Sequence, residues 1–312
     1  MTLFPRPILT NGATHSAQQF RMLVRDLARG NEGITQGDDL KVSQRSTPGG
    51  GVTISDGSAV IKGRDDLFQG HYAVCNVGSL DVDIAPTGAT ARSDMLILRI
   101  EDPEYGYSRD PAVGQIVFPQ IISNVSSSAT TIPDGRTGIP LARIDIPSST
   151  ATITNAMITD LRKIANPRRD RNTYLQSPTS ASLQIGGNTS QYFYFTTAPG
   201  WPVPVPDWAT TAKIRLDIAG LRLTAANVFG AVRAILGSSL ITQSVVIDDN
   251  QGSGTRRINA IAADSVTIPA SYRGTSQQLR AQFAGYSGNT GTVSVDTSST
   301  LIADIEFFEA PR

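Results

Sequence analysis

The sequence predicts a mainly β protein of two modules, a β-rich N-terminal domain with one short amphipathic helix and a C-terminal jelly-roll-like β-sandwich. Short segments that alternate apolar and polar residues occur in both halves. Charged residues make up only 17% of the chain, and many small polar residues and glycines take their place, which is typical of turn-rich β-sandwiches. A polar, turn-rich stretch separates the halves. We therefore divide the chain into domains at residues 1–165 and 181–312, joined by a linker at 166–180.

The N-terminal domain begins with a proline-containing arm and one helix. Pro5 and Pro7 disfavour a helix and favour an extended arm over residues 1–12. Ser16 can cap the helix that follows, and Gly30 is expected to end it after about four turns. The apolar residues of this helix recur at i, i+3, i+4 and i+7. They are Phe20, Leu23, Val24 and Leu27, and the opposite, polar face carries Arg21, Arg25 and Arg29. We expect this stripe to pack against a sheet or a partner subunit.

From residue 40 to residue 146 the pattern is that of short strands. Asp56-Gly57 stands between two alternating segments, residues 52–55 and 59–62, and therefore predicts a β-hairpin. Arg92 and Asp94 stand at the start of a long apolar strand. They form either an ion pair that fixes the start of this strand or a solvated turn.

Two shorter expectations concern this same domain. Residues 153–162 are predicted to form a short strand followed by a short helix. Cys75 is the only cysteine, so an intramolecular disulfide and a cysteine-based zinc site are excluded. Because Cys75 lies in a strand-like segment, we expect it to be buried in the core.

Basic residues concentrate where the two halves meet. Arg162, Arg168 and Arg169 belong to a cluster that ends at Arg171. The formal net charge of the chain is zero, and one short basic patch on a neutral protein argues against nucleic-acid binding. The cluster either contacts acidic groups of another subunit or domain, or lies in a solvated linker.

The C-terminal half is predicted to contain about eight to ten strands, and its aromatic residues are the candidate contact residues. Strand alternation places Tyr192 and Tyr194 on one face and Phe193 and Phe195 on the other, which we assign to the core. The tyrosine pair then belongs to a subunit interface or the rim of the core, to a ligand site, or to ordinary packing.

Two tryptophans bracket a segment in which proline alternates with other residues. Trp201 and Trp208 are its ends, and the missing amide donors exclude a central strand there. The segment is therefore expected to cross the domain in a polyproline-like conformation. Both tryptophans join the tyrosines as candidates for stacking on sugar rings.

The sequence predicts neither a catalytic site nor a bound cofactor or metal. The two histidines, His15 and His71, lack a recognisable serine and carboxylate partner set. Several carboxylates could in principle hydrolyse a glycan. They are Asp65, Asp66, Asp81, Asp83, Asp102 and Glu104. Alternation on a solvated strand is the simpler interpretation of Asp81 and Asp83. The acidic segment 248–252 could bind calcium, although a polar hairpin turn explains it more simply.

The N-terminus has no apolar signal region, and no apolar stretch reaches the roughly 18 residues of a membrane span. We therefore expect a soluble chain that is made in the cytoplasm and is not inserted into a membrane.

Several short motifs of the N-terminal half resemble a known family. They are the glycine-rich segment 49–63, Gly70-His71-Tyr72, the segment 91–102 that contains Arg92-Ser93-Asp94, and residues 158–162. Residues 30–172 resemble the N-terminal half of minor tail or baseplate proteins of tailed bacteriophages, especially those infecting actinobacteria. Residues 181–312 match no motif of that kind.

This resemblance implies a structural virion protein rather than an enzyme. In that family the N-terminal domain docks onto the tail or baseplate, while the variable C-terminal domain often forms trimers and binds host surface polymers. For this chain the expected partners are two further copies of itself, other tail or baseplate proteins and a host cell-wall glycan. The expected location is the virion tail, after assembly in the host cytoplasm. A capsid-attached fibre and a tail-associated glycan hydrolase remain alternatives.

Overall fold

The computed structural model describes residues 7–312, which form two compact units. The first contains the chain up to Pro167 together with Pro311–Arg312, and the second contains Arg168–Ala310. Strands dominate both units, so the predicted mainly β class is confirmed. The predicted linker at 166–180 is different in the structure, because Arg169–Gln176 form a strand of the second unit. Pro311 and Arg312 also differ from the prediction, since they belong to the first unit.

The first unit contains the helix α1 (Ala17–Leu27), two short 3-10 helices (Pro103–Tyr105 and Asn155–Met157) and ten strands. The strands are β1 (Gly33–Ile34), β2 (Val42–Gln44), β3 (Gly51–Ile54), β4 (Gly57–Lys62), β5 (His71–Asn76), β6 (Leu80–Asp83), β7 (Arg92–Ile100), β8 (Val117–Val125), β9 (Gly138–Ile146) and β10 (Ile158–Asp160).

Helix α1 begins as the sequence predicts. The Ser16 hydroxyl accepts a hydrogen bond from the Gln19 amide, and the Gln19 side chain accepts one from the Ser16 amide, so both halves of a capping box are present. The helix ends at Leu27, three residues before Gly30. Residues 1–6 of the predicted arm lie outside the described part of the chain. Residues 7–12 contain turns, with Leu9 in the left-handed region at φ 63°, and so depart from the extended arm that the prolines suggested.

The ten strands of the first unit form three antiparallel sheets. Their orders are β1-β4-β5, β2-β3-β6 and β10-β9-β7-β8. Each sheet contributes fully or almost fully buried side chains to one hydrophobic core, among them Ile61, Ile54 and Leu96. The prediction of a hairpin at Asp56-Gly57 is wrong, because β3 and β4 lie in different sheets. The turn carries the chain from one sheet to the next, and a side chain at Gly57 would collide with Asp39.

Three local expectations in this unit have clear outcomes. Nε of Arg92 donates to both oxygens of the fully buried Asp94 carboxylate, so the ion pair fixes the start of β7. Cys75 is exposed rather than buried, because it lies on the same side of β5 as the exposed Ala73, whereas Tyr72 and Val74 on the other side pack against the core. Residues 153–162 contain a 3-10 helix before strand β10, the reverse of the predicted order.

The second unit contains eleven strands and one 3-10 helix (Ala270–Tyr272). The strands are β11 (Arg169–Gln176), β12 (Phe193–Tyr194), β13 (Trp201–Pro204), β14 (Thr211–Thr224), β15 (Val228–Leu236), β16 (Leu240–Ile241), β17 (Val245–Asp249), β18 (Arg256–Thr267), β19 (Ser276–Gly285), β20 (Thr292–Ser294) and β21 (Thr300–Phe308).

These strands form a jelly roll. One sheet has the order β11-β21-β14-β18. In the other sheet, β19 lies between β15 on one side and β12 and β13 on the other, and β17 pairs with the far side of β15. Counting β12 and β13 as one interrupted strand, and leaving out the short β16 and β20, gives eight main strands. Numbered from 1 to 8 along the chain, they follow the order 1-8-3-6 in the first sheet and 2-7-4-5 in the second. This is the double Greek-key arrangement of a jelly roll, as the sequence predicts.

The core of this unit lies between its two sheets. Large side chains from both are completely buried there, including Phe307 and Ile305 of one sheet and Phe283 of the other. Alternation along the strands directs the neighbouring residues of β15 and β19 to the opposite, outer face. That outer face carries the candidate site.

Candidate functional site

The strongest candidate site is the outer face of the β12-β19-β15 layer in the second unit. It contains two arginines, Arg233 of β15 and Arg280 of β19, and the two tyrosines that the sequence singles out. Gln282 lies between them in the sheet, where its backbone is paired with Tyr194 on one side and Arg233 on the other. The two predicted tyrosines are therefore brought together with two cations that the sequence analysis did not select.

Arg233 is held in place by Tyr192 and Gln282. The centre of its guanidinium lies 3.6 Å from the centroid of the Tyr192 ring. Its Nε donates to Oε1 of Gln282 at 2.8 Å, and Gln282 is itself only 5% exposed. The Tyr192 hydroxyl lies 2.8 Å from the Ser244 hydroxyl and 3.3 Å from that of Tyr286. A cation over an aromatic ring is favourable, and this hydrogen-bonded support keeps the ring in position.

Arg280 is arranged in the same way on the neighbouring strand. Its guanidinium lies 3.5 Å from the centroid of the Tyr194 ring. Within residues 7–312 it makes no hydrogen bond and no ion pair. Tyr194 is partly buried, and no carboxylate among the described residues neutralises the charge of the Arg280 guanidinium that stacks on it.

The other aromatic candidates have structural positions. Trp201 is buried, and its indole Nε1 donates to the Leu175 carbonyl at 3.2 Å. Trp208 packs partly buried against the same core. β13, which begins at Trp201, pairs only with β19, so the proline-rich segment is an edge strand and not a central one. Phe195 is completely buried as predicted, whereas Phe193 is 45% exposed, because β12 is only two residues long and lies at the sheet edge.

The basic cluster separates into residues with different environments. Arg162 is buried in the first unit, where it contacts both carboxylate oxygens of Asp160 and donates to the carbonyls of Asp39 and Arg312. Its predicted role as a surface contact residue is wrong, because these partners already occupy its donors. Arg168 and Arg169 are in the second unit, and Arg168 forms a two-point ion pair with Glu309.

The Arg168 guanidinium also lies 5.3 Å from the Trp208 ring, and that of Arg169 lies 5.1 Å from the Phe308 ring. Arg169 is exposed and has no ion pair within the described residues. Of the three predicted arginines, only Arg169 keeps an unneutralised charge at the surface.

Helix α1 presents apolar side chains to solvent. Phe20 is 47% exposed and Leu27 is 72% exposed, while Leu23 and Val24 are partly buried. The buried residue of the helix is instead Arg21, which the helical pattern assigned to the polar face. The predicted stripe therefore leaves an apolar surface on this unit, which we call the α1 surface and define by Phe20 and Leu27.

Arg21 anchors α1 through a buried polar network. Its guanidinium donates to Glu104 Oε2 at 2.6 Å and lies 3.4 Å from Asp102 Oδ2. Tyr72 donates to the same Asp102 carboxylate at 2.7 Å, and burial is the main cause that raises the pKa of Tyr72. Asp102 and Glu104 thus share one cation, the Arg21 guanidinium.

The remaining carboxylate candidates are also engaged. Arg45 contacts both Asp81 and Asp83, at 3.6 and 2.6 Å. In the acidic segment 248–252, Asp249 forms an ion pair with Arg256 at 2.9 Å. Within residues 7–312 no three histidine, cysteine, aspartate or glutamate side chains come together as a metal site. Nor does that part of the chain contain a helix with the length and apolar character needed to cross a bilayer.

The first unit also contains a cavity of about 240 Å³. Ile139 and Leu161 line it, together with the ion pair of Arg64 and Glu32. Ligand pockets usually enclose about 300–1,000 Å³. This cavity is therefore smaller than a typical ligand site.

Comparisons with known proteins give only distant likenesses. No family model and no curated protein matches the sequence. A structure of the infectious bursal disease virus Gx strain aligns over 90% of this chain and 71% of its own, with 10% identity and a TM-score of 0.27. The T13 particle of the same virus aligns over 95% and 86%, with 10% identity and a TM-score of 0.24. Scores this low do not establish a common fold.

Arg233 and Arg280 are the residues that the sequence analysis missed. Each interrupts a strand that is otherwise rich in small or apolar residues, and each lies on the face opposite the core. An isolated arginine on such a strand is the signal in the sequence that could have identified these two residues. The sequence does not reveal that both cations stack on tyrosines and lack a carboxylate partner.

Proposed function

We propose that this chain is a structural component of a tailed-bacteriophage virion, in the minor tail or baseplate. Its N-terminal unit docks onto the particle, and its C-terminal jelly roll is exposed and binds the host surface. The family resemblance of residues 30–172 supports the location. The single observation that carries the docking role is the α1 surface, an apolar surface on a helix that Arg21 fixes firmly to its own unit.

The jelly roll supports the binding role of the second unit. Jelly rolls occur in lectin domains and in viral capsid domains. Here the outer sheet face presents tyrosine rings and unneutralised arginines. Aromatic and arginine side chains are the types that contribute most to recognition surfaces.

The resemblance also leads us to propose a homotrimer. Size-exclusion chromatography with light scattering measures the subunit number directly. The expected mass is that of three chains. A monomer that persists at high concentration would contradict the trimer, whereas the docking of the N-terminal unit has its own test.

Competition for adsorption tests the proposed function. Purified full-length chain, added to host cells before the phage, is expected to slow phage adsorption by occupying the receptor. The Phe20→Ser/Leu27→Ser variant should compete equally well, because the α1 surface serves docking and not host binding. A chain that neither slows adsorption nor sediments with host cells would contradict the proposal.

The same preparation distinguishes a glycan hydrolase. Incubation with host-wall polysaccharide is expected to release no reducing ends. Release that disappears in the Asp81→Ala/Asp83→Ala variant would replace the structural proposal with an enzymatic one.

A further inference from the structure

The outer sheet face of the second unit concentrates arginines that lack acidic partners. Seventeen of the arginines in the described residues form ion pairs. Arg233 and Arg280 are exceptions, with no carboxylate oxygen within 4.0 Å in residues 7–312. They lie on adjacent strands, where Arg280 is paired with Ile235, two residues from Arg233. A pair of unneutralised cations on one face attracts anionic groups.

Stacking orients these two cations toward a ligand. A guanidinium on an aromatic ring uses its flat face for the stack, whereas all its N–H groups lie in its own plane. Arg280 uses none of its donors within the described residues, and Arg233 uses only Nε, for Gln282. The Nη groups of both therefore remain available for two-point hydrogen bonds to a carboxylate or phosphate.

The surroundings favour an acidic saccharide over a small inorganic anion. Tyr192 and Tyr194 extend the face beside the two cations, and the hydroxyl cluster of Tyr192, Ser244 and Tyr286 supplies neutral hydrogen-bonding groups next to them. A free anion would use only the arginines. A sugar acid would also contact the ring edges and hydroxyls through its apolar C–H groups and its own hydroxyls.

We propose that this face, defined by Tyr192, Tyr194, Arg233 and Arg280, binds a polysaccharide that carries carboxylate or phosphate groups. This inference rests on the proposed host-binding function and specifies its ligand class. The arginines bind the acidic groups, and the tyrosines hold the arginines in place and contact the sugar.

Binding to defined polymers tests the proposal. The probes are polygalacturonate, its fully methyl-esterified form as the matched neutral polymer, and poly(glycerol phosphate), each measured by biolayer interferometry with immobilised full-length chain. Binding to at least one acidic polymer, at least about tenfold tighter than to the neutral one and weakened by added salt, is the expected result. The two acidic probes distinguish a carboxylate from a phosphate ligand. Equal binding to the neutral polymer, or binding to neither acidic polymer, would overturn the proposal.

Matched variants assign the binding to this face. Arg233→Gln/Arg280→Gln is expected to reduce affinity for the acidic polymer at least about tenfold, since charge-assisted hydrogen bonds are lost. Arg171→Gln/Arg215→Gln removes the same charge from the other sheet of the jelly roll, where both arginines are exposed and ion-paired, and should bind nearly as well as the parent. An equal loss in both variants would show general polyanion attraction and overturn the assignment, as would equally tight binding of single-stranded DNA. Tryptophan fluorescence during thermal melting confirms that each variant is folded.

Host-cell adsorption separates this proposal from the broader one. If the Arg233→Gln/Arg280→Gln variant competes with phage as well as the parent does, host binding stands and the acidic-saccharide site is wrong. If the parent itself does not compete, the proposed function fails, whatever the polymer measurements show.

Discussion

Arg21 of helix α1 donates a 2.6 Å hydrogen bond to the carboxylate of Glu104, 83 residues later in the chain. The same guanidinium also contacts the buried Asp102 and the Gln69 carbonyl, so one side chain ties the helix to two other segments of its unit. Breaking a buried ion pair by removing one partner leaves an uncompensated charge, which costs about 3 kcal/mol or more.

We expect Arg21→Met to lower the free energy of local unfolding of α1 by about 3 kcal/mol, because Asp102 loses its cation in a buried position. Hydrogen-exchange mass spectrometry of the α1 and β5 peptides measures this change. Arg25→Met is the control on the same helix. It removes an exposed pair with Asp26 and should change stability by less than about 1 kcal/mol. Similar losses in the two variants would show that Arg21 does not anchor the helix.

Tyr272 is expected to titrate at unusually low pH for a tyrosine. Its hydroxyl oxygen accepts hydrogen bonds from the amides of Ser238 and Ser239, at 3.0 and 3.1 Å, and contacts both serine hydroxyls. These bonds favour the phenolate and lower the pKa of Tyr272 to about 8. Tyrosinate absorbance should therefore show a transition near pH 8 that is absent in Tyr272→Phe.

The lowered pKa also links the stability of the second unit to pH. Because the folded-state pKa lies below the unfolded value of 10, ionisation stabilises the fold as pH rises. This contribution is complete above pH 10 and is lost as pH falls through about 8. Relative to Tyr272→Phe, the parent should gain stability between pH 8 and 10 in urea denaturation. A difference between the two proteins that stays constant over this range would contradict the linkage.

Gly200 is expected to tolerate no side chain. Its φ is 83°, and a Cβ would collide with the carbonyl oxygen of Leu279 on the neighbouring strand. Gly187 has a similar φ of 86° but has no heavy atom within 4 Å of its Cβ position. Gly187→Ala should therefore cost only the left-handed backbone strain of about 1–2 kcal/mol.

Gly200→Ala adds the collision to that strain and should cost at least about 1 kcal/mol more than Gly187→Ala. Tryptophan fluorescence during urea denaturation reports this unit selectively, since Trp201 and Trp208 are the only tryptophans in the chain. Equal losses of stability in the two variants would contradict the close approach of Gly200 to the Leu279 carbonyl.

Polar substitution of the α1 surface should impair assembly without impairing folding. Phe20 and Leu27 are exposed, so Phe20→Ser/Leu27→Ser is expected to change stability by less than about 1 kcal/mol. Incorporation into particles should fall several-fold, as measured by quantitative mass spectrometry of purified virions from complemented infections. Val77→Ser is the control, because Val77 is 93% exposed but lies outside α1. Normal incorporation of the double variant would show that α1 is not the docking surface.

Sequence reasoning succeeded where short-range signals are sufficient. The Ser16 cap depends on residues within one helical turn, and the alternating strands with frequent turns led to the jelly roll. Asp56-Gly57 shows the limit of the same method. A turn signal specifies a local backbone conformation, but which strands pair afterwards depends on contacts made by distant segments, and here β3 and β4 join different sheets.

The candidate site depended still more on distant contacts. The helical pattern predicted that Arg21 is exposed to solvent. That prediction failed because the partners that bury Arg21, Asp102 and Glu104, are more than 80 residues away in the chain. Alternation predicted Tyr192 and Tyr194 as a pair on one side of a strand; β12 contains only Tyr194, but both tyrosines stack on arginines. The arginines that stack on them come from two other strands, and only their pairing in the sheet brings the four side chains together.

The orientation of the chain on the particle tests the central claim most directly. If the chain is the proposed tail or baseplate component, intact virions that contain it can be imaged by electron microscopy after gold labelling with antibodies raised against residues 168–310. The account predicts label at the distal end of the tail. Label on the capsid, or virions that carry none of the chain, would contradict it.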